Sequence, residues 1–397
     1  MASLLTGRSR VDFWILSFGQ LLVFVGFFSF FQFPLYIKSL GGGEQAVGLI
    51  WGAGTISGAI FLPWITAMVE RIDRKILMLT GLTVLMVSTL AMVLPSKPDF
   101  FMAALMFVRG LGFAIYIMAS GTYVAQIIPQ PERGRWIGIN FGFNQAAIGL
   151  GPLLGGLVIG LVGFHGFFFF STAMVFSGFM LVVQIGGRKP VPAAQPFNAW
   201  HSLTVFFKEI LSDRFLRAFL TLLLLAGALG PVFTFTALYT KLLGLSTGLF
   251  FFWYSVATAG IRFFGSGLAD KFGRIMVVAP TMILMSAGLF LYSTIDSTAT
   301  MFVSAVMIGI GFGLANPAIL AGMLDRATPQ LQGMALAGFH LAYSLGLSIS
   351  SPVFGAIAEN VGYPPMWWIS GGLTLCSVAI YVMPLPGAGK LSRISED

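Results

Sequence analysis

Two arginines stand inside long apolar segments of the chain, and they are the residues most able to do chemistry there. Arg109 lies in Leu-Met-Phe-Val-Arg-Gly-Leu-Gly, and Arg262 lies in Thr-Ala-Gly-Ile-Arg-Phe-Phe. A guanidinium group is costly to place among apolar groups, so each should face the interior of the protein. Water, an anionic group of a ligand or a polar cluster around Asn144 would each stabilise the Arg109 charge, and the sequence leaves these three open.

Tyrosine and hydroxyl side chains extend from both arginines along one face of each predicted helix. They share helical spacing with the arginines. They are Tyr116, Ser120 and Tyr123 after Arg109, and Tyr254, Ser255 and Thr258 before Arg262. We predict that the Arg109 stripe serves function rather than folding. For Arg262, extension of the side chain to the membrane surface explains the sequence equally well.

Amide and imidazole side chains within the apolar segments are the remaining candidates for contacting a ligand. We select Asn144, Asn316 and His340, although a hydrogen bond between helices is the commoner role for each. No carboxylate lies in the middle of an apolar segment, and Asp12 is at the edge of the first, so the sequence identifies no proton carrier. Because it shows no convincing metal cluster, catalytic triad or cofactor fingerprint, we expect no metal, no cofactor and no enzyme.

These residues must be positioned by helices that cross a membrane. The 397 residues are 57% hydrophobic and 9% charged, with a mean hydropathy of +0.91. A soluble protein of this length needs more polar surface. Uncharged intervals of about 20–25 residues each match one spanning helix. They predict an all-α membrane protein with twelve spans, at 13–37, 45–69, 76–95, 100–127, 136–162, 166–187, 216–240, 247–269, 275–294, 298–323, 334–358 and 364–386.

The basic residues indicate how these spans are oriented. Of the 22 lysines and arginines, three (Lys38, Lys97 and Lys241) lie on one side, two lie within spans, and the remaining 17 lie on the side of the N-terminus. This positive-inside pattern places both termini in the cytoplasm. The net charge of +8 is therefore a signal of topology rather than of a nucleic-acid partner. We expect a multi-pass protein of the cytoplasmic (inner) membrane.

A long polar interval divides the chain into two sets of six spans. We assign residues 1–187 to an N-terminal six-helix bundle, 188–213 to a cytoplasmic linker, and 214–397 to a C-terminal bundle with a short tail. The linker begins with prolines and continues with an amphipathic pattern. That pattern favours a short helix on the membrane surface over an irregular tether.

The two sets of spans repeat in sequence at an offset of 200 residues. Pro152 matches Pro352, and Gly155 matches Gly355. Six-helix halves related by an axis along the membrane normal hold a ligand between them near the midplane. The repeat therefore predicts two pseudo-symmetric bundles.

The loops after the second and eighth spans share a pattern in which basic residues follow an acid. The residues are Glu70, Arg71 and Arg74 in the first copy, and Asp270, Lys271, Gly273 and Arg274 in the second. Both copies resemble the loop signature of the major facilitator superfamily, Gly-x-Leu-Ala-Asp-Arg-x-Gly-Arg-Arg, and the second copy is the closer. Physically, a carboxylate at the end of one helix can face the positive N-terminus of a helix in the other half. The resemblance implies that these loops latch the cytoplasmic side shut, and ordinary positive-inside loops are the alternative.

The fifth span carries a pattern of small residues that resembles the antiporter signature of this superfamily's exporters. Small residues allow close packing of helices, and a proline allows a bend. A glycine-rich packing face without a role in transport is the alternative. The matching residues are Gly138, Ala147 (which replaces a glycine), Gly151, Pro152, Gly155 and Gly156.

These resemblances imply secondary active transport by alternating access. The preferred function is export of a small organic solute by proton-coupled antiport, and an amphipathic solute would suit this function. Arg109 resembles the fourth-span arginine that the superfamily uses in proton coupling, although that arginine usually stands three residues earlier, at the position of Met106. A facilitator or importer of a small metabolite is the first alternative, and a transporter-derived sensor or membrane enzyme is the second. We expect a monomer whose partners are its substrate, protons and the lipid bilayer.

Overall fold

The structure is a computed structural model, and nearly all of the chain that it describes is helical, without strands. The residues described are 7–187, 206, 208–212, 214–265, 271–328 and 331–383. Most of the predicted linker, Asp270 and the tail after residue 383 lie outside these residues. The prediction of an all-α protein is confirmed.

Six helices precede the linker. They are α1 (Gly7–Ser39), α2 (Glu44–Arg71), α3 (Arg74–Ala91), α4 (Phe100–Ile127), α5 (133–162) and α6 (164–184). The last two form one helical run that breaks at Gly163, whose φ of 72° lies in the left-handed region. Glycine adopts this region at little cost, which confirms the predicted break between the fifth and sixth spans.

The first helix is interrupted by one 3-10 turn at Ser29–Gln32. Pro34 follows at the start of the segment Phe33–Ser39. Because proline has no N–H, it cannot continue the α-helical hydrogen bonds across this point. The turn therefore places the backbone of α1 in an irregular conformation in the middle of a spanning helix.

Six helices follow the linker. They are α7 (Leu216–Leu242), α8 (Thr247–Gly265), α9 (Arg274–Tyr292), α10 (Thr298–Asp325), α11 (Gln332–Val361) and α12 (Tyr363–Val382). Ser297 and Thr300 form a capping box at the start of α10, which satisfies backbone N–H groups that have no partner within the helix.

The described residues thus contain twelve long helices, in agreement with the predicted number of spans. Ten segments are long and apolar enough to cross a membrane by length and composition. One of these, Arg135–Gln184, contains both α5 and α6, and α8 is not among the ten. Two predicted boundaries were wrong: α1 begins at Gly7 rather than residue 13, and α3 ends at Ala91 rather than residue 95.

Corresponding helices of the two sets pack on one another in the same way. α3 packs against α4 and α6, and six helices later α9 packs against α10 and α12. Two pairs make the most extensive contacts between the first set and the second, α2 with α11 and α5 with α8. Any site shared between the two sets must therefore lie between these two pairs.

Candidate functional site

A carboxylate from α11 caps the first helix of the α2–α11 pair. Gly43 is the N-cap residue of α2 and offers no side-chain acceptor. Glu359 of α11 supplies one, since the backbone N–H of Gln45 donates to Glu359 Oε2 at 2.7 Å. A carboxylate at a helix N-terminus also interacts favourably with the helix dipole. We call this end of the molecule the Glu359 end, and the opposite end, where α9 begins, the Arg274 end.

Further polar contacts surround the same helix start. Glu44 Oε1 accepts a hydrogen bond from Lys38 Nζ at 2.8 Å and another from the hydroxyl of Tyr363 at 3.0 Å. Lys38 ends α1, whereas Tyr363 begins α12. The Glu359 end is therefore held by two carboxylates, and both connect the first set of helices to the second.

Glycines bring the backbones of the connecting pairs together near the Glu359 end. In the α2–α11 pair, a Cβ on Gly48 would collide with the carbonyl oxygen of Ser351. In the α5–α8 pair, a Cβ on Gly248 would lie 2.6 Å from Leu153 Cα. Small residues permit such close approach of helices in a membrane.

Aromatic rings close the space between the two pairs at this end. Phe31, in the 3-10 turn of α1, stacks on Phe233 of α7 with ring centroids 5.0 Å apart. The rings of Phe251 and Trp51 lie 4.6 Å and 6.0 Å from it. Phe31 of the first set is therefore packed against aromatic rings of the second set at this end.

The helices diverge toward the Arg274 end. A Cβ placed on Gly138 or Gly142, in the first turns of α5, would meet no atom within 4 Å. His340, in the first half of α11, is exposed. Since the same helices are in close contact at their other ends, we infer that a crevice separates the two sets toward the Arg274 end.

Arg262 reaches across this crevice from α8. Its Nε donates to the carbonyl oxygen of Gly313 on α10 at 2.9 Å, and its Cζ lies 4.2 Å from the ring centroid of Phe141 on α5. It also interacts electrostatically with Tyr254 and Tyr343. The guanidinium therefore contacts helices of both sets, which is the position that a binding residue in an alternating-access protein requires.

The other predicted ligand candidates lie within one helical turn of these contacts. Asn144 is three residues from Phe141, Asn316 is three residues from Gly313, and His340 is three residues from Tyr343, which are neighbouring positions on a helix surface. None of the three forms a hydrogen bond with another described residue, so their polar atoms are available to a ligand. We call Asn144, Arg262, Asn316, His340 and Tyr343 the Arg262 cluster. Tyr254 is instead buried between Phe233 and Phe251.

Arg109 does not join this cluster. Its Nη2 donates to the carbonyl oxygen of Phe27 at 3.0 Å, and its Nε donates to Thr89 Oγ1 at 3.3 Å. Its Cζ lies 3.5 Å from the ring centroid of Phe30 and 4.4 Å from that of Phe27. No carboxylate forms an ion pair with it in the part of the chain that the structure describes. Aromatic faces and a carbonyl oxygen at the turn of α1 thus stabilise its charge.

The remainder of the Arg109 stripe also faces α1. The Ser120 hydroxyl accepts a hydrogen bond from Gln20 at 3.0 Å, and the Tyr123 hydroxyl lies 3.1 Å from Asp12 Oδ2. Asp12 is buried and pairs with Arg8 at 3.1 Å. Tyr116 packs edge-on against the ring of Phe24, and its hydroxyl has no partner among the described residues. The stripe therefore forms a polar interface between α1 and α4.

The predicted antiporter residues hold α5 against the turn of α1. A Cβ on Gly151 would lie 2.8 Å from the backbone N of Ser29, and one on Gly155 would lie 3.1 Å from Ser29 Cβ. Gln32 donates to the carbonyl oxygen of Pro152 at 3.0 Å. The remaining members are Gly156, which also packs on Gln32, Ala147, which is buried, and Gly138, which faces open space.

Two members of the first loop motif, Glu70 and Arg71, lie at the surface among the described residues. Neither forms an ion pair with another described residue. Asp73 instead caps its own helix, accepting from the backbone N of Lys75 at 2.8 Å, and Arg74 is buried. Within the described residues, Glu70 therefore forms no ion pair that would latch the Arg274 end.

The second loop motif is described from Lys271 onward, so the predicted role of Asp270 falls outside the described residues. Lys271 and Gly273 are exposed. Arg274 forms an ion pair with Asp325 of α10 and donates to the carbonyl oxygen of Ala318 at 3.3 Å.

Sequence reasoning missed the residues that close the Glu359 end. Phe31 and Phe233 stand among many phenylalanines, and nothing in the pattern distinguishes them. The only signal for Glu359 was the glycine before α2, which leaves that helix start without a cap of its own. No group of histidines, cysteines and acids suited to a metal occurs within the described residues.

Comparison with known proteins places this geometry in context. A family model described as Major Facilitator Superfamily matches residues 14–335 and 247–396. The Staphylopine export protein of Staphylococcus aureus is 22% identical over 372 residues, covering 89% of this chain and 90% of that protein. The Multidrug resistance protein MdtG of Klebsiella pneumoniae is 25% identical over 366 residues, covering 88% of this chain and 86% of that protein.

Solved structures share the fold at low sequence identity. The nucleoside transporter NupG matches with a TM-score of 0.75 and 13% identity, covering 95% of this chain and 100% of the other. The human organic anion transporter MFSD10 matches with a TM-score of 0.69 and 16% identity, again covering 95% and 100%. At these identities the likeness concerns the arrangement of helices only.

Proposed function

The chain belongs to the major facilitator superfamily, and from this membership we propose that it exports a small organic solute by proton-coupled antiport. It is a multi-pass membrane transporter and not an enzyme. Relatives named for staphylopine export and multidrug resistance support the direction of transport. The observation that carries the proposal is the crevice, which is closed at the Glu359 end and opens around the Arg262 cluster.

The proposed substrate is an anionic or uncharged amphipathic molecule. Arg262 carries the formal positive charge of the cluster, and the cluster contains no carboxylate. The amides of Asn144 and Asn316 offer donors and acceptors, while the ring of Phe141 offers an apolar face. A cationic substrate would be repelled by Arg262.

The proposed movement is a rocking of two bundles, residues 1–187 and 214–397. The α2–α11 and α5–α8 pairs would separate at the Glu359 end while the loop at Glu70 closes the Arg274 end. Both termini and the Arg274 end are proposed to lie in the cytoplasm, in the inner membrane, because most basic residues occupy that side. In that orientation the crevice faces the cytoplasm, where an exporter takes up its substrate, and a single chain contains the complete site.

His340 is the proposed proton-binding residue of the antiport. Imidazole titrates near neutral pH without assistance. His340 is exposed to the crevice, one turn from Tyr343, and the positive charge of Arg262 acts on that tyrosine. Antiport requires that proton and substrate bind in turn. The apolar part of a bound amphipathic substrate would exclude water from His340 and favour its neutral form, so that substrate binding would release the proton.

Transport of pyrene-1-sulfonate by proteoliposomes tests this function. The sulfonate stays ionised at all relevant pH values, so a pH gradient does not drive its passive accumulation. We expect transport against its concentration gradient when a proton gradient is imposed, and loss of accumulation with a protonophore. His340→Gln should keep substrate exchange but lose the response to the proton gradient.

Ethidium and protein-free liposomes are the matched controls for substrate charge and leakage. If the wild-type protein transports pyrene-1-sulfonate only down its concentration gradient, at a rate independent of the proton gradient, the facilitator or importer alternative is indicated. Transport of ethidium without pyrene-1-sulfonate would contradict the proposed substrate class.

Arg109 is proposed to act on transport by positioning the turn of α1. Arg109→Lys keeps the charge but loses the planar set of donors that reaches both Phe27 O and Thr89. Loss of one hydrogen bond to a charged group should slow flux about tenfold, while yield and monodispersity stay normal. Arg109→Ala should abolish flux. Near-normal flux in both variants would contradict a role in transport, and loss of folded protein in both would indicate a role in folding alone.

A further inference from the structure

A second polar pocket lies at the Arg274 end, away from the Arg262 cluster. It has a volume of about 380 Å³ and lies between the ends of α7, α9, α10 and α12. Three arginines, Arg217, Arg274 and Arg326, line it, together with Asp325 and Tyr381. The proposed transport cycle uses none of these side chains as a substrate contact.

The charges in this pocket do not balance within the described residues. Asp325 pairs with Arg274. Arg217 donates to the carbonyl oxygen of Met383 at 2.8 Å but has no carboxylate partner. The side chain of Arg326 forms neither an ion pair nor a hydrogen bond with the described residues. Arg217 and Arg326 also repel each other. Two uncompensated guanidinium groups that face one cavity favour an anion between them.

Tyr381 provides a hydroxyl group that lines the same pocket. The residue is only 7% exposed and lines the pocket, and its side chain forms no hydrogen bond with the part of the chain that is described. It interacts electrostatically with all three arginines. A tyrosine hydroxyl that reaches a cavity can donate a hydrogen bond to an anion held there by the arginines.

The start of α9 adds backbone donors to the pocket. Its N-cap residue is Gly273, which has no side chain to accept from the first N–H groups. The matching position of the first set is Asp73, whose carboxylate caps α3 through Lys75 N. The N-terminus of α9 therefore has no side-chain cap, whereas that of α3 has one. The uncapped N–H groups of α9 lie at the pocket in which two arginines lack carboxylate partners.

We propose that this pocket binds a phosphate group, supplied by the headgroup of an anionic phospholipid. Guanidinium groups match phosphate oxygens with paired donors. Ile275 and Met276 line the pocket and are 48% and 75% exposed, so acyl chains can pack beside the headgroup. Free phosphate shares the chemistry but gains nothing from these two apolar side chains.

Native mass spectrometry of the purified protein with added lipid tests the site. We expect phosphatidylglycerol to bind more tightly than phosphatidylcholine. The double variant Arg217→Gln, Arg326→Gln should weaken phosphatidylglycerol binding about thirtyfold, since each of the two basic residues contributes about 1 kcal/mol near a membrane. Arg326→Gln alone should give an intermediate effect, and it replaces the double variant in the experiment if the double variant folds poorly. Arg10→Gln is the matched control, because Arg10 is exposed near the start of α1 and pairs with no described residue.

Each result decides the proposal. Selective loss of phosphatidylglycerol in the pocket variants supports it. Equal loss in Arg10→Gln, or equal binding of the two lipids, overturns it, because the effect is then the general charge of that surface. Inorganic phosphate that displaces phosphatidylglycerol at comparable concentration overturns the lipid as the source of the phosphate.

Discussion

Replacing Arg262 by alanine is expected to lower transport on the order of 100-fold while membrane insertion and yield remain normal. The guanidinium spans the crevice, with a hydrogen bond to Gly313 on α10 and its Cζ over the Phe141 ring on α5. Losing a hydrogen bond from a charged group to a bound substrate costs about 1.5–3 kcal/mol, and each 1.4 kcal/mol is a factor of ten. Initial rates of pyrene-1-sulfonate transport in proteoliposomes measure the loss.

Two further variants separate this effect from general disturbance of α8. Arg262→Lys keeps the charge but not the paired donors, so it should transport better than Arg262→Ala and worse than the wild type. Phe263→Ala changes the next residue, whose side chain is 80% exposed, and should transport normally. If Arg262→Ala retains near wild-type rates, the cluster is not the binding site, and extension of Arg262 to the membrane surface becomes the better explanation.

Gly48→Ala is expected to prevent closure of the Glu359 end. The added methyl group would collide with the carbonyl oxygen of Ser351 and lie 2.9 Å from Pro352 Cα. Because both atoms belong to the backbone of α11, the collision cannot be relieved by a side-chain rotation. A bias of about 1.4 kcal/mol against the closed state changes its population ratio tenfold. We therefore expect slower transport and a larger fraction of molecules open at this end.

A cysteine in the aromatic closure reports this change. Phe31→Cys, made after Cys376→Ser, places a thiol where the native side chain is buried at 5% exposure. Labelling by an impermeant maleimide should rise about tenfold when Gly48→Ala is added. Gly160→Ala is the matched control. Gly160 lies near the end of α5, and a Cβ there meets no atom within 4 Å. Unchanged labelling together with normal flux would show that the α2–α11 contact does not control access.

The cap that Glu359 makes on α2 belongs to the same closure. It is a long-range contact that no local pattern predicts, because the two residues that meet are separated by more than three hundred positions. Its chemistry resembles the mechanism that the sequence suggested for the opposite end, where a carboxylate faces a helix start of the other half. In the described structure that arrangement occurs at the Glu359 end, while Glu70 is exposed at the other.

The sequence by itself determined the features that depend on neighbouring residues. Span positions follow from the length of uncharged runs, and the break at Gly163 follows from a glycine between two such runs. The polar stripe from Arg109 to Tyr123 also follows from helical spacing, since residues three or four apart share one face of a helix. These properties require no knowledge of which helices meet.

Only the tertiary structure decided what each face contacts. Arg109 and Arg262 look alike in sequence, yet one packs on the turn of α1 and the other crosses between two sets of helices. The physical reason is that lipid and protein interiors are similarly apolar, so hydropathy does not indicate the partner of a helix. Close packing at glycines such as Gly48 and Gly248 sets the partners, and the fit depends on backbone atoms that are distant in the chain.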